Sequence, residues 1–496
     1  MTSVVVIGAG VGGLASAARL AAAGHAVTVF EQSDVVGGKL GRYVRSTPAG
    51  DFRFDTGPSL FTLPQISAEL FTATGGAVDL GLQPLDPIVR HRFPDSTVLD
   101  SCAQPDEFAA RIAAAFGPAA AQDWTALWRR AERVWQTSWD HVLTSSVDGP
   151  GDLARLAWRL RDLAAIAPGQ TLRGLGRRRL RDPRLRMLLD RYATYTGGDP
   201  RRAPAALLAV PYAELHHGGW YLRGGLGTLG DALLARCVDL GVRVHTGTAV
   251  TSVDVAGGAV HGVRLADGTL VRADVVVANA DALVVYRDLL PTPDRAARLA
   301  RSRSLAGFVI LLGVRGRTPG LAHHTVFFPD DYDAEFDAVF GDRRTGLAAR
   351  PVPDPAVFVT VPDDPAVRPD GHEAWFILVN AAPHGRSAST VDWSAPGLAT
   401  SYADRVLDVL AARGMDVRDR VLFREVRTPA DLATAAGAPG GSIYGTASHG
   451  LTGLLRPANR GPARGMYLVG GSVHPGGGLP LVMLSAKLVA DRIGPA

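Results

Sequence analysis

The stretch Val4–Gly38, VVVIGAGVGGLASAARLAAAGHAVTVFEQSDVVGG, decides the fold. Val4-Val5-Val6-Ile7 is a β-branched apolar run of the kind that forms a buried parallel strand. Gly8-Ala9-Gly10-Val11-Gly12-Gly13 follows at once, then an alanine-rich helical pattern from Leu14 to Ala23, closed by Gly24. A second apolar run, Ala26–Phe30, stops at Glu31. Strand, glycine turn, helix, strand and acid in this order predict a dinucleotide site. The glycines let the backbone approach a pyrophosphate, and the helix N-terminus meets the anion with N–H groups and a partial positive charge. Glu31 stands where a carboxylate accepts ribose hydroxyls. The pair Gly37-Gly38 before Lys39 adds a second glycine contact to the pyrophosphate and favours FAD over NAD.

The rest of the chain is organised around this unit. Its 496 residues suffice for two or three domains. Hydrophobic residues make up 47% and charged residues 20%, the balance of a globular protein. A net charge of +4 is too small to indicate nucleic acid. Lys39 and Lys487 are the only lysines among 52 basic residues, so arginine-rich stretches reflect composition before function. Cys102 and Cys237 fall in no motif, which points to neither a disulfide framework nor a zinc site. No apolar run reaches the roughly 18 residues of a membrane span. The expected location is cytoplasmic.

Asp274–Asp281 repeats the buried-strand pattern and ends in a polar turn, and Gly465–Gly471 is a strand running into glycines. Both predict returns of the chain to the dinucleotide sheet. The expected fold is therefore α/β: a discontinuous Rossmann-like FAD-binding domain (1–75, 224–300 and 421–496), a helical membrane or substrate insertion (76–223) and a mixed-sheet substrate domain (301–420). Between Gln122 and Leu143, Trp124, Trp128, Trp135 and Trp139 recur at helical spacing and share a face. That face packs on the core, or it forms an aromatic wall or a membrane contact. The helical pattern of Leu153–Asp190 carries an arginine cluster from Arg173 to Arg191, either a solvated face or a basic surface for anionic lipid.

These residues carry a resemblance. VVVIGAGVGGL, Glu31, Gly37-Gly38, FDTGPSLFTLP, RYATYTGGDPRRAPAAL, WYLRGGLGTLGDAL, VVVANAD, PGGSIYG and the Gly470–Pro480 signature GGSVHPGGGLP are similar to the bacterial-type carotenoid desaturases, FAD-dependent flavoproteins of the amine-oxidase superfamily. The likeness spans nearly the whole chain. It implies that Gly8, Gly10, Gly12 and Gly13 hold the FAD pyrophosphate, Gly38 and Lys39 flank it, Glu31 binds ribose, and the Val250 backbone holds adenine. Gly57, Pro58 and Ser59 would pass close to the isoalloxazine ring. Gly470, Gly471, Pro480, Leu481 and Val482 would cover its reactive end, where a helix N-terminus favours the charge of reduced flavin.

The activity so implied is desaturation of a phytoene- or hydroxycarotenoid-like polyene, with a lipophilic substrate taken by a peripherally attached enzyme from a membrane surface. Oxygen and a quinone both remain open as electron acceptor. Because the forming cation is delocalised over the polyene, no strong acid–base pair is needed, and none is evident. His474, Glu214, His216 and Asp199 are the candidate proton acceptors. His216-His217 and His323-His324 do not read as metal ligands, because adjacent strand residues face opposite ways and no third ligand is apparent. Competing readings are a carotenoid isomerase or saturase, an amine oxidase, which commonly has a lysine near the flavin, and a non-enzymatic protein of the GDP-dissociation-inhibitor type. The last would be expected to have lost the glycine motif.

Overall fold

In a computed structural model, residues 1–149, 151–152, 164–342, 345–450, 453 and 455–496 are described. The first strand, Ser3–Ile7, lies in the middle of a five-stranded parallel sheet. Its neighbours are Ala26–Phe30 on one side and Val275–Ala278 on the other. Arg243–His245 extends the first edge and Met466–Leu468 the second. Segments more than 450 residues apart in sequence thus enter one sheet, with the apolar runs on both sides covered. The first helix, Val11–Ala22, buries Leu14 and Leu20 completely against this layer. A small antiparallel sheet follows Arg243–His245 in sequence, formed by Val250–Ala256, Ala259–Leu265 and Leu270–Arg272. The Asp267-Gly268 turn joins its last two strands, with Asp267 accepting from the Thr269 N–H.

A seven-stranded mixed sheet stands apart from the first. Its order is Val421–Arg427, Ala306–Arg315, His372–Ala381, Val357–Thr360, His324–Phe327, Arg90–Arg92 and Val98–Asp100. Ala306–Arg315 is apolar over nearly its whole length because both faces are covered. Phe308, Ile310, Leu312 and Val314 pack with Tyr402, Val406 and Leu410 of the helix Leu398–Ala412. Val309 and Leu311 face Phe52 and Phe54 of the hairpin Arg42–Thr47/Gly50–Asp55. The sheet draws strands from beyond the expected limits of 301–420. Arg90–Arg92 and Val98–Asp100 come from the segment assigned to the helical insertion, where strand-like pieces alternate with helical ones, and Val421–Arg427 from the segment assigned to the cofactor domain. Three-residue strands in a proline-punctuated segment carry too little periodicity to be read in advance.

The tryptophan helix spans Pro118–Ser138 and widens into a π-turn at Trp139–Leu143. Trp124 and Trp135 are buried, and Trp128 and Trp139 pack against the same core. Trp128 stacks on Tyr212 at 4.8 Å and Trp135 on Trp139 at 5.0 Å. The shared face is thus an inward one. In the arginine-rich segment two helices form, Leu172–Arg179 and Pro183–Arg191, separated where Asp182 caps the second through the Arg184 N–H. The expected helix over residues 153–163 lies outside the described residues. Arg173 pairs with Asp190 and Asp333, and Arg181 with Asp123, whereas Arg177, Arg178 and Arg179 are exposed. No helix among the described residues is long and apolar enough to cross a membrane.

Candidate functional site

At the C-terminal end of the parallel sheet three glycine-rich segments meet. A β-carbon on Gly13 would lie 2.0 Å from the Gly8 carbonyl oxygen, so the turn closes only without one. A β-carbon on Gly12 would lie 3.1 Å from Val482 Cγ1 and 3.3 Å from Gly470 Cα. The first helix and the last helix, Leu479–Ile493, therefore bring their N-termini together. Neither N-terminus carries a side-chain cap, so backbone donors and positive dipole ends converge there. Gly38 touches Gly10, and Gly37 donates its N–H to the Ala9 carbonyl at 2.9 Å. Glu31 turns back onto the same loop: its carboxylate accepts from the Ala9 N–H at 2.7 Å and the Ser33 N–H at 2.9 Å. Thr248 donates to the Glu31 carbonyl, which brings the strand starting at Val250 alongside.

Gly57 approaches Lys39 so closely that a β-carbon would lie 1.9 Å from the Lys39 carbonyl oxygen. Pro58 and Ser59 continue from there. Ser59 is held by the His324 ring, whose Nε2 is 3.2 Å from the Ser59 carbonyl, and by the Thr360 hydroxyl, which donates to Ser59 Oγ at 3.2 Å. Gly471 packs against Gly477, and a β-carbon on Gly477 would meet both the Tyr444 ring and the Gly471 carbonyl oxygen. Pro480 and Leu481 open the last helix.

Asn279 was not singled out in the sequence, yet it is the wedge of this site. Its amide side chain lies where β-carbons on Gly10, Gly12 and Gly470 would fall, at 2.8, 2.7 and 2.6 Å. Its Nδ2 donates to the Val469 carbonyl at 3.2 Å, and its backbone N–H to the Ile7 carbonyl at 2.8 Å. The polar turn ending Asp274–Asp281 was the available signal.

Behind the glycines lies a buried charge cluster. Asp281 accepts two bonds from Arg303, at 2.9 and 3.3 Å. Burial alone would raise its carboxyl, but Arg303 and Lys39 overcome that and hold it below its ordinary value. Lys39 Nζ donates to the carbonyls of Ser442 and Ile443 at 3.1 and 2.7 Å. Arg456 donates to the Tyr444 carbonyl at 2.7 Å. Burial pushes Lys39 down to about 8 and Arg456 to about 10. Three cations thus share one carboxylate, and Arg303 Nε is buried without a partner among the described residues. Excess buried positive charge beside a glycine cradle fits the dianionic pyrophosphate of FAD.

The depressed Lys39 value has a consequence for stability. Between about pH 8 and the unfolded lysine value of about 10.4, the unfolded chain holds this proton and the folded chain does not. The stability of the apoprotein therefore rises with pH across that window. Urea midpoints measured through it test this: the rise should disappear in Lys39→Met and flatten when FAD is bound, because the phosphates hold the proton on.

The candidate proton acceptors are dispersed. His474 Nε2 is 2.8 Å from the Ser145 carbonyl, and the His474 carbonyl accepts from Asn459 and Ser485. Asp199 is buried in a bidentate pair with Arg201 at 2.8 Å and accepts from the Arg201 N–H. Glu214 accepts from the Tyr192 hydroxyl at 2.8 Å, and its second oxygen is buried without a hydrogen-bond partner among the described residues. Burial raises its carboxyl, against the pull of Arg191. His216 stacks on Tyr212 at 4.8 Å. No hydrogen bond or ion pair seen among the described residues joins His474, Glu214 and Asp199.

The family model for flavin containing amine oxidoreductases matches residues 11–376. The chain belongs to this family. It is 33% identical to 4,4'-diapolycopene oxygenase of Methylomonas sp. and 34% identical to hydroxyneurosporene desaturase of Cereibacter sphaeroides, each over 99% of this chain and 97% of that protein. Among solved structures it is similar to cyclohexylamine oxidase from Brevibacterium oxydans, with a TM-score of 0.60 and 17% identity over 99% of both chains, a likeness of fold. The protein is an FAD-dependent oxidoreductase.

Proposed function

We propose that this flavoprotein desaturates a carotenoid-class polyene. The full-length similarity to a hydroxyneurosporene desaturase and a diapolycopene oxygenase carries this reading. FAD, when bound, supplies the acceptor for a hydride leaving an allylic carbon. The chain's own residues hold and surround that acceptor. Gly8, Gly10, Gly12, Gly13 and Gly38 line the pyrophosphate, with Lys39 contributing charge, while Glu31 takes the ribose and the Val250 backbone the adenine. Gly57, Pro58 and Ser59 bound one side of the reactive end; Gly470, Gly471, Pro480, Leu481 and Val482 bound the other. The apolar wall of the mixed sheet excludes water and aligns the C–H bond. Of the four candidate proton acceptors, His474 and Asp199 are engaged in structural bonds and His216 is stacked on Tyr212. Glu214 Oε2 is our choice, because among the described residues no hydrogen bond of standard geometry reaches it.

Lysine placement argues against an amine oxidase. Lys39 is committed to two backbone carbonyls, and Lys487 pairs with Asp491 on the last helix at 2.6 Å. The polyene itself is insoluble, so we further propose that the enzyme draws it from a bilayer surface, aided by the exposed Arg177, Arg178 and Arg179.

Incubating the holoenzyme with polyene-loaded anionic vesicles, under oxygen or with a quinone, tests the reading. The expected result is a pigment absorbing at longer wavelength whose mass has fallen by two hydrogens. An unchanged mass with altered geometry would make it an isomerase, and a gain of two hydrogens when a reductant replaces the oxidant, a saturase. Sedimentation with the vesicles, weakened by salt, is expected of the membrane step.

A further inference from the structure

A cavity of about 290 Å³ lies between the Arg42–Thr47/Gly50–Asp55 hairpin and the mixed sheet. The mechanism above uses Ser59 and the mixed sheet, two of the cavity's walls, but gives the space between them no occupant. Its walls include Phe54, Val367, Ala374 and Phe376, all apolar. Ser59, from the loop assigned to the flavin's reactive end, also lines it, together with its hydrogen-bond partner Thr360. The cavity therefore reaches that loop at one side. On another side it is rimmed by the ion pair of Arg42 and Asp231, whose side chains are 39% and 65% exposed, so it opens to solvent there.

The wall is not apolar throughout: Arg53, Asp55, Thr228, Tyr221, His323 and Thr360 also line it. Tyr221 is fixed by donating to Asp364 at 2.9 Å, and Asp364 is itself anchored by the N–H groups of Gly224 and Ala366. The His323 ring packs on Tyr221 at 4.7 Å, and its Nε2 is buried without a hydrogen-bond partner among the described residues. The His324 ring, next in sequence, meets His323 edge-on at 4.5 Å and holds Ser59. Burial lowers the His323 imidazole to about 4, so at neutral pH it is uncharged. A neutral imidazole offers one donor and one acceptor, the complement of a hydroxyl group. A cavity of this volume is at the small end of ligand pockets and holds part of a long polyene, not all of it.

We propose that this cavity takes the end of the polyene lying beyond the reacting bond, and that His323 selects an oxygenated end group there. The assignment rests on the polyene-desaturase reading. It differs from a substrate path confined to the helical region, because it runs the chain past Ser59 and out towards Arg42.

Two variants of the holoenzyme test it. Ala366 is exposed on a loop at the cavity, so Ala366→Trp closes the space without entering a core. With a full-length polyene its KM is expected to rise at least tenfold with kcat little changed, while a polyene truncated at that end is turned over as by the wild type. His323→Leu is expected to lower kcat/KM about tenfold for a polyene hydroxylated at that end and to leave the unhydroxylated one unaffected, the scale of one hydrogen bond. Equal effects of Ala366→Trp on full-length and truncated polyenes, or none on either, overturn the cavity assignment. Equal effects of His323→Leu on the two end groups overturn the role of the imidazole. If Ala366→Trp fails to retain FAD, the His323→Leu comparison decides. A wild type that turns over no polyene refutes the desaturase reading itself, a result separable from both.

Discussion

Gly13→Ala is expected to purify without flavin. The added β-carbon would sit 2.0 Å from the Gly8 carbonyl oxygen, a full ångström inside the 3.0 Å that β-carbons essentially never breach. That oxygen belongs to backbone, and it cannot swing away as a side chain can. Gly8 is itself fixed, its N–H donating to the Phe30 carbonyl at 2.7 Å, so the turn is tied to the second strand. Relief requires the first helix to move away from the sheet. Its N-terminus then leaves the position facing Gly470 and Val482, and the two helix ends no longer converge on one anion. We expect FAD affinity to fall at least about 100-fold, since each 1.4 kcal/mol is tenfold. Visible absorbance of the purified protein and fluorescence titration with FAD measure it. Gly149→Ala is the control, because none of the described residues lies within 4 Å of a β-carbon there and its backbone is not in the left-handed region. A yellow Gly13→Ala protein with wild-type affinity would show that the cradle does not hold the pyrophosphate.

How much of this was legible beforehand depends on the range of the interaction. Val4–Ile7, the glycine turn and Glu31 lie within one βαβ unit, and local pattern suffices for them. The returns of the chain at Val275–Ala278 and Met466–Leu468 were legible because strands covered on both faces remain apolar throughout. The tryptophan spacing predicted a shared face but not its direction, since an inward and an outward aromatic face have the same period. Val421–Arg427 alternates weakly, and only its pairing with Ala306–Arg315 assigns it to the mixed sheet. Asn279 escaped notice because its role is to fill space left by three glycines from distant segments. The charge cluster escaped for the same reason: Lys39, Asp281, Arg303 and Arg456 share no motif, and only the fold brings them together.

That cluster yields the second large effect. Asp281→Asn is expected to destabilise the apoprotein by about 3–5 kcal/mol, the range for removing one partner of a buried ion pair. The Asp281 side chain is 4% exposed and that of Arg303 is 12% exposed. Asparagine is nearly isosteric, and its oxygen can still accept from the Leu283 N–H that Asp281 caps. The loss is therefore one of charge, with little change in packing or capping. It leaves Arg303, Arg456 and Lys39 buried around no anion, and each repels the others. The cofactor should then act as a partial substitute. FAD brings its phosphate charges to the adjacent glycine cradle, so saturating FAD should recover more stability in Asp281→Asn than it adds to the wild type. Urea unfolding with and without FAD measures both terms as one double difference. An equal gain in the two proteins would place the cluster outside the reach of the cofactor's charge and reduce it to a structural ion pair. A larger gain in the variant would mean that these four residues, scattered over more than 400 positions, act as the counter-charge of the flavin nucleotide.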